Sequence, residues 1–190
     1  VRVKDDSKRQ AIIEQTIDIV FEQGFAGIKM SDLAKRVGIS VSTLYVYYKS
    51  KEDLIVSISG ELLENVSKMS TKETNDDLPY KLKLKAMWLY WINFGVNHTK
   101  EMSFINQVKQ SPYYEKIPKA IIEAKHRIGL ELFELGKKEG LIKQVDNEIL
   151  AAVIGAMLHE TVRLILSGTI KMNKKDNDEM FSFVWDAIKN

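Results

Sequence analysis

The residues that most constrain this chain run from Met30 to Leu54, MSDLAKRVGISVSTLYVYYKSKEDL, where three helix-sized segments and their punctuation follow one another with almost no spacer. Met30, Leu33, Ala34 and Val37 fall at i, i+3, i+4 and i+7, which puts one apolar stripe on a two-turn helix, and Gly38 stands where a left-handed residue would end it. Ser40 is placed to cap the next helix, on which Leu44 and Tyr48, four apart, form a single inward stripe. Ser50 caps a third, with Asp53 at N3 in a short-armed capping box and Leu54 opening its apolar face. Helix, tight glycine turn, helix is the helix-turn-helix arrangement, predicted here over about residues 30–48.

The remainder reads as helices too. Ile13, Ile17, Val20 and Phe21 form a stripe on a helix from about Lys8 to Gln23, with Gly24-Phe25 as a Schellman-type ending. Residues 1–7 read as a mobile charged arm, and the polar run Ser70 to Asp77 as a loop after a helix over Lys51 to about Met69. Pro79 opens a helix whose second half, AMWLYWINFGV, is apolar nearly all round and so belongs at the centre of a domain. Further helices are predicted over 99–110, over Tyr113 to Glu139 with an interruption at Pro118, from Asp146 or Asn147 to near Ser167-Gly168, and over Asp176 to Lys189. The expected fold class is all-α, with about nine helices.

Composition removes several function classes. The absence of cysteine excludes disulfides, thiolate metal sites and cysteine nucleophiles, and fits a reducing cytoplasm. Three dispersed histidines assemble no metal site, and Arg163 stands where a zinc-protease motif beginning at His159-Glu160 needs a second histidine. No nucleophile motif or phosphate-cradling glycine loop is present, so an enzyme is the least favoured reading, with no cofactor expected. The apolar run Ile149 to Leu158 is too short for a bilayer, which takes about 20 residues, and reads as a buried helix with no membrane partner. The net charge is only +2, but residues 1–51 carry nine Lys/Arg against six Asp/Glu, and Lys29, Lys49 and Lys51 flank the second helix of the helix-turn-helix.

The pattern Phe25 … Leu33-Ala34 … Gly38-Ile39-Ser40 … Thr43-Leu44-Tyr45-x-Tyr47-Tyr48-Lys49-Ser50-Lys51-Glu52-Asp53-Leu54 resembles the DNA-binding region of TetR/AcrR-type transcriptional regulators. The match covers about Arg9 to Leu54, and its TLY…YYKSKEDL tail is far more specific than a generic helix-turn-helix. The resemblance implies a helix-turn-helix DNA-binding domain over residues 1–50 and a helical ligand-binding and dimerisation domain over 51–190. One departure stands out: the family usually has threonines where Ile28 and Lys29 stand, and lysine has no side-chain oxygen with which to cap. Either the second helix starts without a side-chain cap, or Ser31 caps a later start.

On a helix beginning after Ser40, Leu44 and Tyr48 point inward, Thr43 and Tyr47 share a flank, and Val41, Ser42, Tyr45 and Val46 cover the outer surface. The resemblance implies that this outer face enters the major groove of double-stranded DNA while Thr43, Tyr47 and Lys51 contact phosphates. The expected DNA-binding residues are therefore Lys29, Ser40, Val41, Ser42, Thr43, Tyr45, Tyr47, Lys49 and Lys51. No Arg or Lys lies between Ser40 and Tyr48, so base readout is expected from Val41 against thymine methyls and from the hydroxyls of Ser42 or Tyr45.

In the second domain Met87, Trp88, Trp91, Phe94 and Phe104 concentrate large side chains, either as packed core or as a pocket wall. Through the resemblance they become the lining for a small, largely apolar or aromatic effector, with Asn97 and His126 as polar groups to orient it. The small residues Ala152, Gly155 and Ala156 admit a close helix; by resemblance, that helix belongs to a second subunit, with His159, Phe181 and Trp185 completing the interface. The expected function is a homodimeric repressor on a palindromic operator, released by its effector. The alternative is a ligand-independent DNA-binding regulator with a filled core.

Overall fold

The computed structural model describes residues 5–70 and 78–190, with side chains at 67–70 and 125 excepted; residues 1–4 of the expected arm and 71–77 of the expected loop lie outside the described residues. Among the described residues nine α-helices follow in order: α1 Asp6–Gln23, α2 Met30–Val37, α3 Val41–Tyr47, α4 Lys51–Ser70, α5 Tyr80–Asn97, α6 Thr99–Lys109, α7 Lys119–Lys138, α8 Asn147–Leu166 and α9 Lys174–Ile188. Short 3-10 turns occupy Phe25–Gly27 and Tyr114–Lys116. Strand pairing among the described residues is limited to one isolated antiparallel bridge, Ile142 with Lys189. The all-α expectation and its helix order hold.

The interruption expected at Pro118 is present: proline disfavours helical backbone in the residue before it, so the segment over 113–139 is a 3-10 turn, extended Ile117, and then α7. Two other local features depart from expectation. The last helix starts at Lys174 rather than Asp176, because Asn173 caps it by accepting from the Asp176 N–H at 2.9 Å. Phe21 is 46% exposed. The buried face of α1 instead runs through Ile12, Ile13, Thr16, Ile17, Ile19 and Val20, and the buried Thr16 hydroxyl donates to the Ile12 carbonyl at 2.7 Å.

The chain divides into two compact units. One comprises the residues up to Glu64 together with Lys100–Ile122; the other comprises Asn65–Thr99 and Glu123–Asn190. The first unit holds the helix-turn-helix and also takes in α6. Phe104, fully buried on α6, meets Phe25 edge-on at 5.5 Å, and Phe25 meets Tyr113 at 5.4 Å. Gln107 Nε2 donates to the Val20 carbonyl at 3.2 Å, near the end of α1, and Lys100 pairs with Asp18 at 2.6 Å.

The second unit is centred on α5. Tyr80, Leu84, Trp88 and Ile92 recur every four residues and pack with Leu132 and Phe133 of α7, Ile142, Leu150 and Val162, and Phe181, Val184 and Ile188 of α9. The outer side of α8 is another matter. Ile149, Ala151, Ala152, Val153, Gly155, Ala156 and His159 are exposed, so the expectation of a buried helix is corrected: the described residues leave the apolar side of α8 uncovered. The helix also continues to Leu166, which makes it long and apolar enough to cross a membrane by length and composition alone.

Tyr80 fits against Gly136, where an added Cβ would lie 2.2 Å from the phenol oxygen. That hydroxyl is buried without a hydrogen-bond partner among the described residues, and burial pushes its pKa up to about 12 from an ordinary 10.0. The unfolded chain releases this proton near the ordinary value, so the stabilisation is complete below about pH 10 and is lost as pH rises towards 12. Tyr80→Phe is expected to leave the urea midpoint at about pH 7 unchanged or slightly raised, and to flatten its fall above about pH 10. Denaturation curves at the two pH values check both halves.

Candidate nucleic-acid interface

The first unit builds its site from a small scaffold. In α2, Leu33 and Ala34 are fully buried, and the helix ends at Gly38 with φ 74° and ψ 31°; the Ile39 N–H returns to the Ala34 carbonyl at 3.0 Å. Its start is now placed: Met30 is the first helical residue, Lys29 supplies no side-chain cap, and Ser31 bonds Asp32 instead. Ile28, standing where the family has threonine, is 2% exposed and belongs to the core.

Ser40 caps α3, accepting from the Thr43 N–H at 3.1 Å. Its hydroxyl also lies 2.9 Å from that of Ser42 and 2.8 Å from that of Thr43. Leu44 is fully buried and Tyr48 nearly so, while Val41, Ser42, Tyr45 and Val46 are exposed and Thr43 and Tyr47 are half-buried. Each of these residues therefore takes the face its spacing predicts. Tyr47 has a partner that the sequence does not announce: its phenol oxygen accepts from the Asp5 N–H at 2.9 Å and donates to the Asp5 carbonyl at 3.3 Å. Asp5 is the N-cap of α1, and hydrogen bonds from Ser7 and Lys8 hold its carboxyl at about 2. At the start of α4, Ser50 accepts from the Asp53 N–H at 3.0 Å, and the Asp53 carboxylate accepts from the Lys49 N–H at 2.7 Å, one residue earlier than a regular capping box.

The cations separate into two groups. Lys8 pairs with Asp5, Arg9 forks onto Glu61, and Arg36 pairs with Glu22 at 3.6 Å. Among the described residues Lys29, Lys35, Lys49 and Lys51 form no ion pair. Lysines without an ion pair thus lie within and at both ends of the helix-turn-helix, whereas Lys8 and Arg9 of α1 are paired. A charge-free helix face framed by free lysines suits a duplex, because lysines hold phosphates as point charges while the face between them meets base edges.

The other expected residues divide between the two units. Phe104 belongs to the first unit, whereas Met87, Trp88, Trp91 and Phe94 lie on α5 in the second. Trp91 meets Phe94 edge-on at 5.9 Å, and Phe94 stacks on His98 at 5.0 Å. The Trp88 indole N–H is buried with no acceptor among the described residues. Asn97 is exposed and bonded to Asn93, and His126 is exposed on α7. Ala152, Gly155, Ala156 and His159 share the open side of α8, but Phe181 points into the core, and Trp185 packs beside Tyr80 with Lys81 over its ring at 5.0 Å. The exposed aromatic of α9 is Phe183, at 56%.

Two family models match: that of the bacterial regulatory proteins of the tetR family over residues 12–58, and that of the tetracyclin repressor-like C-terminal domain over 60–190. A TetR family transcription regulator from Marinobacter aquaeolei VT8 superposes over the whole of both chains with a TM-score of 0.84 and 25% identity. The chain is 23% identical over 150 residues to an HTH-type transcriptional regulator of Haemophilus influenzae, covering 78% of each. It is also 27% identical over 77 residues, 40% of each chain, to the fatty acid metabolism regulator protein of Bacillus subtilis, so it spans well under two thirds of that relative. These relatives are regulators, not enzymes.

Replacing the α3 cap isolates its contribution. Ser40→Ala is expected to lower unfolding stability by about 1 kcal/mol, read as a shifted urea midpoint. Ser40→Asp should restore the midpoint while weakening DNA binding, because it places a negative charge at the proposed interface.

Proposed function

Because the chain belongs to the TetR family of bacterial regulatory proteins, and so is a DNA-binding transcriptional regulator, we propose that it acts as a dimeric repressor whose operator binding is relieved by a small effector. The observation that carries the DNA-binding geometry is the charge-free outer face of α3 framed by Lys29, Lys49 and Lys51, which form no ion pair among the described residues. In this reading α3 enters the major groove, with Thr43 and the lysines on phosphates. Tyr47 adds a contact through its bond to the α1 cap, fixing the flank of α3 beside the backbone. A bacterial operator places the protein in the cytoplasm.

One α3 reads too few base pairs for a unique site, and two copies related by a dyad read a palindrome. The open side of α8 supports the pairing: Ala152, Gly155 and Ala156 let a helix approach closely, and among the described residues no other element stands within 4 Å of where a Gly155 Cβ would be. Ile149, Val153 and Phe183 supply exposed apolar area beside them. In place of Phe181 and Trp185, which face inward, Phe183 is the α9 aromatic offered to the partner.

Effector binding is supported by the buried Trp88 donor, whose unmet hydrogen bond a ligand acceptor would satisfy amid apolar neighbours. The name of the Bacillus subtilis relative makes fatty acids the class to try first. Such a ligand shifts operator affinity only by its preference between the two states of the dimer. Titrating the operator-bound protein with fatty acids of graded length should release DNA and change tryptophan fluorescence. Tight binding with unaltered operator affinity would instead support a ligand-independent regulator.

The lysine frame is tested by salt. Plots of log K against log salt should flatten by about 0.9 for each phosphate contact removed, so Lys49→Ala and Lys51→Ala should each reduce the slope by about that much in each half-site. An unchanged affinity and slope in both variants would remove the lysines from the interface.

A further inference from the structure

We propose that this protein recognises its operator chiefly through the C5-methyl groups of thymines, which pack against Val41, Val46 and the ring of Tyr45. The proposal rests on the reading of α3 as the major-groove element and specifies what that element reads.

The chemistry of the exposed face leaves little else. From Ser40 to Tyr48 no side chain is charged, so the two-pronged arginine contact to guanine and the carboxylate contact to cytosine are both missing from α3. Neither Asn nor Gln occurs there, which removes the paired contact to adenine as well. The short hydroxyls are partly committed to one another. Ser40 accepts from the Thr43 N–H and lies within hydrogen-bond distance of both the Ser42 and Thr43 hydroxyls. A hydroxyl has one proton to give, so at least one of Ser42 and Thr43 must donate to Ser40 rather than to a base.

Apart from the phenol oxygen of Tyr45, the remaining outward surface is aliphatic and aromatic. Val41 is 39% exposed, Tyr45 47% and Val46 51%, on a helix only seven residues long. Large apolar groups facing water on so short a helix gain from any apolar surface they meet. Along the major-groove edges of the four base pairs, the C5 methyl of thymine is the one apolar group. Lys29, Lys35, Lys49 and Lys51, unpaired among the described residues, supply the attraction that brings this face against a polyanion. Affinity therefore comes from phosphates, and selectivity from the placement of methyls. Each half-site is expected to carry thymines where Val41 and Val46 descend into the groove.

Uracil in place of thymine removes the methyl and keeps the pairing and the O4 acceptor, so it tests this contact alone. The full chain is first used to select duplexes from a random library, and the selected operator is then synthesised with deoxyuridine at every thymidine. Burial of one methyl is worth about a fourfold change in affinity. With two such contacts per half-site, the substituted operator should bind at least about tenfold more weakly. Single substitutions should locate the loss at a few positions related by the operator dyad. Val41→Ala and Val46→Ala, both at exposed positions and expected to keep the melting temperature, should bring the thymine-to-uracil affinity ratio towards one. That second readout separates methyl contact from a change in duplex shape. If a selected operator binds equally well with uracil throughout, or if the ratio is unaffected by both valine variants, the proposal is overturned while DNA binding stands. If no sequence is enriched, the major-groove reading beneath it fails as well.

Discussion

The burial of Leu44 and Tyr48 beneath a seven-residue helix is the contact on which the interface depends. An isolated helix of this length is not stable in water, because nucleation is unfavourable and too few hydrogen bonds follow. The helix therefore exists because one side of it is part of a core that includes Leu33 and Ala34 of α2, and because Ser40 satisfies its first orphan N–H. Truncating a fully buried leucine of this kind typically costs about 2–5 kcal/mol. That is a large share of the stability of a domain this size. With the inner side fixed, the outer side is free to carry residues chosen for recognition rather than folding.

Electrostatics then distinguish this surface from others on the same unit. Arg9, Arg36 and Lys8 are matched with acids, and the fork of Arg9 onto Glu61 ties α1 to α4. Among the described residues Lys29, Lys35, Lys49 and Lys51, which lie on α2 or at the ends of α2 and α3, form no ion pair, so a modest overall charge of +2 still leaves cations beside the helix-turn-helix. The contact of Tyr47 with the α1 cap adds rigidity on the same side. In the proposed reading, a duplex facing this frame would meet point charges at its phosphates and apolar groups at its bases.

Much of this was legible in the sequence because local chemistry decides it. The stripe of α2, the Gly38 stop, the Ser40 cap and the sorting of α3 into faces all follow from spacing, and the structure reproduces each. Phe21 misled because a stripe drawn at four-residue steps does not say how wide the buried face is, and α1 buries Ile12, Thr16 and Ile19 instead. Phe104 lay close in sequence to Trp88, Trp91 and Phe94, yet the turn at His98 sends α6 into the other unit, an outcome set by tertiary packing. The alternation along α9 could not be resolved for a related reason. Phe181, Phe183 and Trp185 are all large and apolar, and only their contacts show that Phe183 is the one facing out.

Hydroxyl-radical footprinting of both strands of a bound operator tests the central claim most directly, because it reports which groove the protein faces. Protection is expected as two patches flanking a major groove, repeated about one helical turn away by the second subunit. Protection centred on the minor groove, or an unbroken footprint with no such repeat, would contradict the placement of α3 and its lysine frame.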